Sequence, residues 1–331
     1  MGKPATGSLA AAFAAIYLFW GATFLAIRWA VADVPPLLTI AVRCLAGGAV
    51  LVLWVRLRGT WTPASPRAWL TAGLAGTLLF LGCHSVMASI EQRVSSGETA
   101  LLMTAIPLWM VLFDALRRRI APPRLVILGL LLGAGGVAVL TGSAVLSGGR
   151  LGDRLGLVLC ALGWASGSLV ARDGERPPSA VQAAAMQLLT GGLVVIAASA
   201  LGPERAQWGS THLTPRSAGA LAFLVVCGTA LGMASYTWLL RVTSSAAVGT
   251  SSFVNPLIAL GIGWAVGDDH PASRTLLAAV LVIVGVVLVH HGGRGSRQSA
   301  RQREASSPIG RRMTRPASRA GSGPIGIRGL S

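Results

Sequence analysis

One arginine, two glutamates and a histidine carry the chemistry that this sequence can do inside a membrane. Arg43 interrupts the otherwise apolar run 36–55, and a guanidinium placed in hydrocarbon normally faces a bundle interior or a wet cavity, paired with an acid or a substrate anion. Two readings follow. Arg43 lines a cavity and takes an anionic group, or it snorkels to the nearer surface, since it lies within about two turns of the start of its run. Glu91 ends the run 68–90 and Glu98 opens the run 97–114, at the end where Arg43 also enters. The three can share one depth, so Arg43 is expected to exchange Glu91 for a substrate carboxylate in different access states. Solvated loop acids are the alternative, above all for Glu98. His84 is either a proton relay or a hydrogen-bonded core histidine.

Four further polar or aromatic positions and two prolines complete the candidate set. Trp20 and Trp164 fall halfway along their runs, away from the interfaces, as aromatic cavity walls or packing residues. Gln187 occupies in the second half the place of Arg43 in the first, so the paired site is charged on one side and neutral on the other. Asn255 brings an amide that must avoid lipid and finds a neighbouring helix or the substrate. Pro107 and Pro256 lie about ten residues into their runs, where each removes a backbone hydrogen bond, and serve as hinges or as packing kinks.

These residues need a bundle to hold them. The chain has 331 residues, 53% of them hydrophobic and 12% charged, with mean hydropathy +0.65; such values exclude an ordinary soluble domain. Ten apolar runs are predicted as membrane helices, at 9–29, 36–55, 68–90, 97–114, 124–143, 154–171, 179–201, 217–240, 246–267 and 274–290. Continuous runs, rather than alternation, argue for helices over a barrel. Ala30-Val31-Ala32 looks like a peptidase site, but the preceding run is too long for a signal and is expected to stay. Cys44, Cys83, Cys160 and Cys227 share no ligand spacing, so neither disulfide nor metal is expected.

An internal repeat organises the runs. Ser95-Ser96, Pro107-Leu108, Pro122 and Gly136-Val137 recur as Ser244-Ser245, Pro256-Leu257, Pro271 and Gly285-Val286, all displaced by the same 149 residues. Upstream, Phe19-Trp20-Gly21-Ala22 faces Gly163-Trp164-Ala165-Ser166, and Arg43 through Gly48 faces Gln187 through Gly192. Five runs per half turn the second half over in the membrane, the inverted-repeat plan of many secondary transporters. The predicted divisions are a short terminus 1–8, a first repeat 9–143, a second repeat 154–291 and a basic disordered tail 292–331.

Nine arginines against Glu304 alone follow Gly292 and account for much of the net charge of +17. With that tail inside, the inner loops carry ten further arginines, among them Arg56, Arg58, Arg117, Arg118 and Arg172, so both termini are predicted cytoplasmic. The tail is expected to lie on anionic lipid, with no nucleic-acid partner.

At these residues the chain resembles the drug/metabolite transporter superfamily, specifically the ten-span EamA family. The resemblance is carried by Trp20-Gly21-Ala22-Thr23-Phe24, Pro35-Pro36 with Arg43, Glu91-Gln92 with Ser96-Gly97 and Pro107-Leu108, and Phe253-Val254-Asn255-Pro256-Leu257 through Gly263-Trp264. It implies a carrier that exports amino acids, related metabolites or drugs without ATP, and adds Thr23 and Gln92 to the pathway. Many members carry Gly-Glu after spans 4 and 9; this chain has Asp114-Ala115 and Gly267-Asp268-Asp269 instead. No carboxylate occurs from Ser8 to Ala32, so the membrane-embedded glutamate of four-span drug exporters is unmatched.

The sequence therefore predicts an all-α membrane protein of two inverted five-helix repeats, a secondary transporter in the cell membrane with a small-molecule substrate and no cofactor. A cationic-drug exporter is the rival transporter; a receptor or scaffold is the rival of another class. No nucleophile elbow, metal cluster or Walker motif suggests an enzyme.

Overall fold

The computed structural model describes residues 6–119, 123–146, 150–243, 248, 251–266 and 273–306. Every regular element among them is helical. Six helices are long and apolar enough to cross a membrane: α1 (Thr6–Ala30), α2 (Pro36–Leu57), α3 (Pro66–Glu91), α7 (Leu151–Asp173), α8 (Ala180–Leu201) and α9 (Pro215–Val242). Between and after them come α4 (Ser96–Met103), α5 (Ile106–Arg118), α6 (Arg124–Leu146), α10 (Ser251–Ala265) and α11 (Ser273–Ser306).

Local chemistry sets the ends. Prolines open α2, α3 and α9, where their missing N–H costs nothing. The side chains of Ser65, Ser95 and Ser179 accept N–H bonds from Ala68, Glu98 and Gln182, and Thr214 forms a capping box with Ser217. The predicted run 97–114 is split: α4 stops at Met103, Thr104 and Ala105 bond back only three residues, and α5 begins at Ile106. Pro107 contributes to the break, because it has no N–H to give to the Met103 carbonyl. Pro256, in contrast, sits inside an unbroken α10.

Two expectations change in extent. Residues 292–331 were predicted disordered, yet α11 continues to Ser306. The stretch is rich in Arg, Gln and Ala, which favour helix enough to carry it past its glycines. The repeat markers Pro122, Ser244-Ser245 and Pro271, together with Gly267-Asp268-Asp269, lie outside the described residues.

The halves meet reciprocally. A Cβ on Gly48 of α2 would meet Leu189 at 2.9 Å, and one on Gly192 of α8 would meet Leu45 at 2.9 Å. At the other end of the chain, a Cβ on Gly136 would meet Val282, and one on Gly285 would meet Gly133. Each contact has its image under exchange of halves, as at a two-fold interface. Small residues permit these backbone approaches, which is how membrane helices associate without a hydrophobic drive.

The α2–α8 pair is also clamped at both ends. Glu204, on a 3-10 turn after α8, accepts the N–H groups of Leu37 at 2.9 Å and Leu38 at 2.8 Å, and the hydroxyl of Ser199 at 2.8 Å. At the opposite end, Gln182 bonds the backbone N–H and carbonyl of Thr62. A carboxylate on two orphan N–H groups suits a helix N-terminus. Glu204→Ala is expected to cost about 2 kcal/mol, read as a lower melting temperature of the detergent-purified protein; an unchanged midpoint would show the clamp to be idle.

A second tie joins the loop after α1 to the start of α9. Asp33 accepts the Thr214 hydroxyl at 2.6 Å, and His212 stands 3.5 Å away. The hydroxyls of Ser217 and Thr214 hold the Asp33 carboxyl below its ordinary value. A depressed acid stabilises the fold above its unfolded value and loses that contribution as pH falls through the folded one. Thermal stability is expected to drop on acidification below about pH 4, with a shallower drop in Asp33→Asn.

Candidate functional site

Three of the long helices widen locally into π-helical turns: Ala15–Phe19 in α1, Thr77–Ser85 in α3 and Leu224–Leu231 in α9. Such turns shift side chains and free carbonyls, and they recur at functional sites. Here Trp20 lies directly after the first and His84 on the second.

Trp20 follows the first π turn and donates its indole N–H to the carbonyl of Gly228, in the third, at 3.0 Å. Its ring meets Trp164 edge-on, with centroids 5.6 Å apart, and tilts against Tyr236 at 5.0 Å. Trp20 and Trp164 are counterparts in the two halves, so their contact falls where the halves meet. His84, from the second π turn, lies 5.2 Å from Trp164 and 5.6 Å from Phe80. Its Nδ1 is 2.9 Å from the carbonyl of Leu79, which can only accept, so the proton is on Nδ1 and Nε2 is free to accept. Trp20, His84 and Tyr236 are only half-buried although central, and so keep surface for a ligand.

Beside this aromatic group sits Arg43, 3% exposed. Its Nε donates to Thr229 Oγ1 at 2.8 Å, and its Nη1 is buried without a partner. The snorkelling alternative does not describe this placement, since the guanidinium turns into the bundle. Thr23 lies next to it: a Cβ on Gly228 would meet Thr23 Oγ1 at 2.9 Å and Arg43 Nη2 at 3.9 Å. Gly228 is thus the opening through which Thr23, Trp20 and Arg43 share one space.

The pseudo-equivalent corner is apolar. Gly47 lies on Thr229, whose hydroxyl Arg43 uses, whereas its counterpart Gly191 lies on the ring of Phe80. Gln187 is buried at 6% exposure, and its side chain makes no hydrogen bond among the described residues. Charge and polarity are concentrated on one side of the symmetric frame.

The remaining candidates scatter. Glu91 is completely buried and neither carboxylate oxygen has a hydrogen-bond partner. Arg28 and Arg43 both act on it electrostatically, but neither pairs with it here. Gln92 donates to the Val31 carbonyl at 3.2 Å. Asn255, with its amide nitrogen assigned as the donor, reaches the carbonyls of Ile16, Tyr17 and Ser251, each at 3.2 Å. It ties α10 to the π turn of α1. Pro107 and Pro256 lie in α5 and α10.

Two bidentate bridges follow Glu91 in the chain. Arg93 grips Asp153 at 2.8 and 3.1 Å, and Arg154 grips Glu98 at 2.9 and 3.2 Å. Each joins the first half to the start of α7. Sequence reasoning missed Thr229, Gly228, Tyr236 and Arg28. Tyr236 is one of two tyrosines in an aromatic-poor chain, which is a signal of a kind; Thr229 gave none.

Comparison with known proteins places the chain in a family and a fold. Two stretches, 6–142 and 154–290, each match the profile of the EamA-like transporter family. The uncharacterized inner membrane transporter YedA of Escherichia coli is 32% identical over 283 residues, covering 84% of this chain and 89% of its own. The uncharacterized transporter YvbV of Bacillus subtilis is 27% identical, covering 86% and 92%. A solved crystal structure of a protein, 21% identical, superposes with a TM-score of 0.61 over 86% of this chain and 96% of its own, a shared fold. A helical membrane bundle whose halves pack reciprocally around a buried arginine, matched twice by one transporter profile, belongs to the EamA-like transporter family.

Proposed function

We propose that this transporter exports a small amphipathic metabolite with an anionic end, such as an amino acid or a related compound, across the inner membrane by alternating access. The observation that carries the reading is the Arg43 guanidinium, which donates to Thr229 and whose buried Nη1 has no hydrogen-bond partner among the described residues, beside half-buried Trp20, Tyr236 and His84. A bidentate cation takes the carboxylate, and the aromatic wall takes the apolar body. Trp164 and Gln187 extend that wall, and Thr23 lies beside Arg43. Reciprocal packing supports two inverted repeats of five spans each, with both termini cytoplasmic by the arginine bias of the loops. Breaking α4 from α5 at Pro107 gives one half a hinge; Pro256 is its counterpart. In the companion access state Arg43 pairs with Glu91.

The test compares metabolites released by cells overproducing the wild type, by cells producing Arg43→Ala at matched membrane abundance, and by cells with neither. One compound class appearing outside with the wild type alone is expected. Equal release from both proteins would remove Arg43 from the path. A second reading, efflux of cationic drugs, is favoured by one observation, the unpartnered carboxylate of Glu91. Resistance conferred by the wild type and lost in Glu91→Gln, without any metabolite change, would put it first.

A further inference from the structure

Glu91 is fully buried among helices that carry several charged and polar groups. Arg28 faces it from α1, Arg43 from α2 and Cys160 from α7, each close enough to act on it electrostatically. On α3 itself the next titratable group is His84, about two turns away. From α4 comes Glu98, which Arg154 of α7 already holds. Buried nitrogens Nη1 of Arg28 and of Arg43 have no hydrogen-bond partner, and neither arginine pairs with Glu91. The first turn of α4, which packs on α1 and α3, adds Ser96 Oγ and Thr99 Oγ1, both fully buried and also unpartnered.

So many orphaned groups in one place do not describe a finished structural network. A buried carboxylate persists with donors, with a paired cation or with a proton. Glu91 has no donor and no paired cation here, although two cations stand ready nearby. We infer that Glu91 binds and releases one proton in each transport cycle, with Arg43 as the countercharge that replaces the proton. In the conformation seen here an O–H bond on the carboxyl holds the proton. In the other, that bond breaks, the proton passes to water, and the carboxylate pairs with Arg43. No electron moves. A substrate carboxylate that takes Arg43 displaces Glu91, and Glu91 then recovers its proton from water. Because Arg93–Asp153 and Glu98–Arg154 tie the segment that follows Glu91 to the start of α7, those bridges control when that water arrives.

The link to flux rests on the proposed function; the proton site itself does not. The full chain, reconstituted in liposomes, is titrated over about pH 4 to 10 while infrared difference spectra follow the C=O stretch of protonated carboxyls. A band of a carboxyl without hydrogen bonds is expected in the wild type, fading as pH rises, lost in Glu91→Gln and displaced in Glu91→Asp. The aspartate variant decides the matter if the glutamine variant fails to fold. A spectrum identical in wild type and Glu91→Gln, or without such a band at any pH, would overturn the site. Glu98→Gln, which weakens one bridge, is expected to speed exchange of that proton in heavy water. An unchanged rate would overturn the control by the bridges. For the exported compound, counterflow is expected in the wild type, and the accumulation that a pH difference drives there is expected to be lost in Glu91→Gln. Failure of counterflow in the wild type would instead count against the proposed function and leave the infrared result standing.

Discussion

Arg43→Ala is expected to lower flux of the exported compound by on the order of a hundredfold, the equivalent of about 3 kcal/mol for truncating one partner of a buried charged contact. The substitution removes both the Thr229 bond and the free Nη1. Arg43→Lys keeps the charge but loses the fork, so roughly a tenfold loss is expected, with rising KM as its main component. Thr229→Val, which leaves the guanidinium unsupported, should fall between the wild type and the lysine variant. Flux is measured by counterflow in liposomes at matched protein amount. Full activity in Arg43→Ala would mean that the guanidinium contributes to packing alone, and substrate recognition would then pass to the aromatic group around Trp20 and Trp164.

The second large effect is structural. A Cβ on Gly76 would stand 2.4 Å from the carbonyl oxygen of Gln187, 2.9 Å from the nitrogen of Gly191 and 3.0 Å from its Cα. All three are backbone atoms of α8, which no rotamer change can move aside. Gly76→Leu must therefore separate α3 from α8, and a loss above about 3 kcal/mol is expected, beyond ordinary overpacking. Little monodisperse protein should survive size exclusion after extraction. Gly73 on the same helix has nothing within 4 Å, so Gly73→Leu serves as the control and should fold. Equal yields from both variants would contradict the close approach. The consequence reaches the site, because this contact sets the backbone of Gln187, the counterpart of Arg43.

Which of these features the sequence displayed follows from the range of the forces involved. Composition and run length are local, so the helical membrane class, the apolar runs and the outlying Arg43 were readable without coordinates. Pro107 predicted an interruption, and α4 indeed ends four residues before it, whereas the equivalent Pro256 leaves α10 unbroken. The same residue type gave two outcomes because neighbouring helices, not the proline alone, decide whether a freed carbonyl finds another partner.

By itself, then, the sequence determined a transporter-like bundle of apolar helices built from a repeated unit, with a charge that lipid would not tolerate and two tryptophans placed mid-run. Only the tertiary structure decided their partners. It turned Arg43 onto Thr229, set Trp20 against Trp164, sent Gln92 and Asn255 to backbone carbonyls, and left Glu91 without a hydrogen bond between two arginines. The reason is physical: hydropathy depends on each residue's own transfer from water, whereas a pairing depends on which π turn, glycine approach or helix end brings a residue from the other half within about 3 Å.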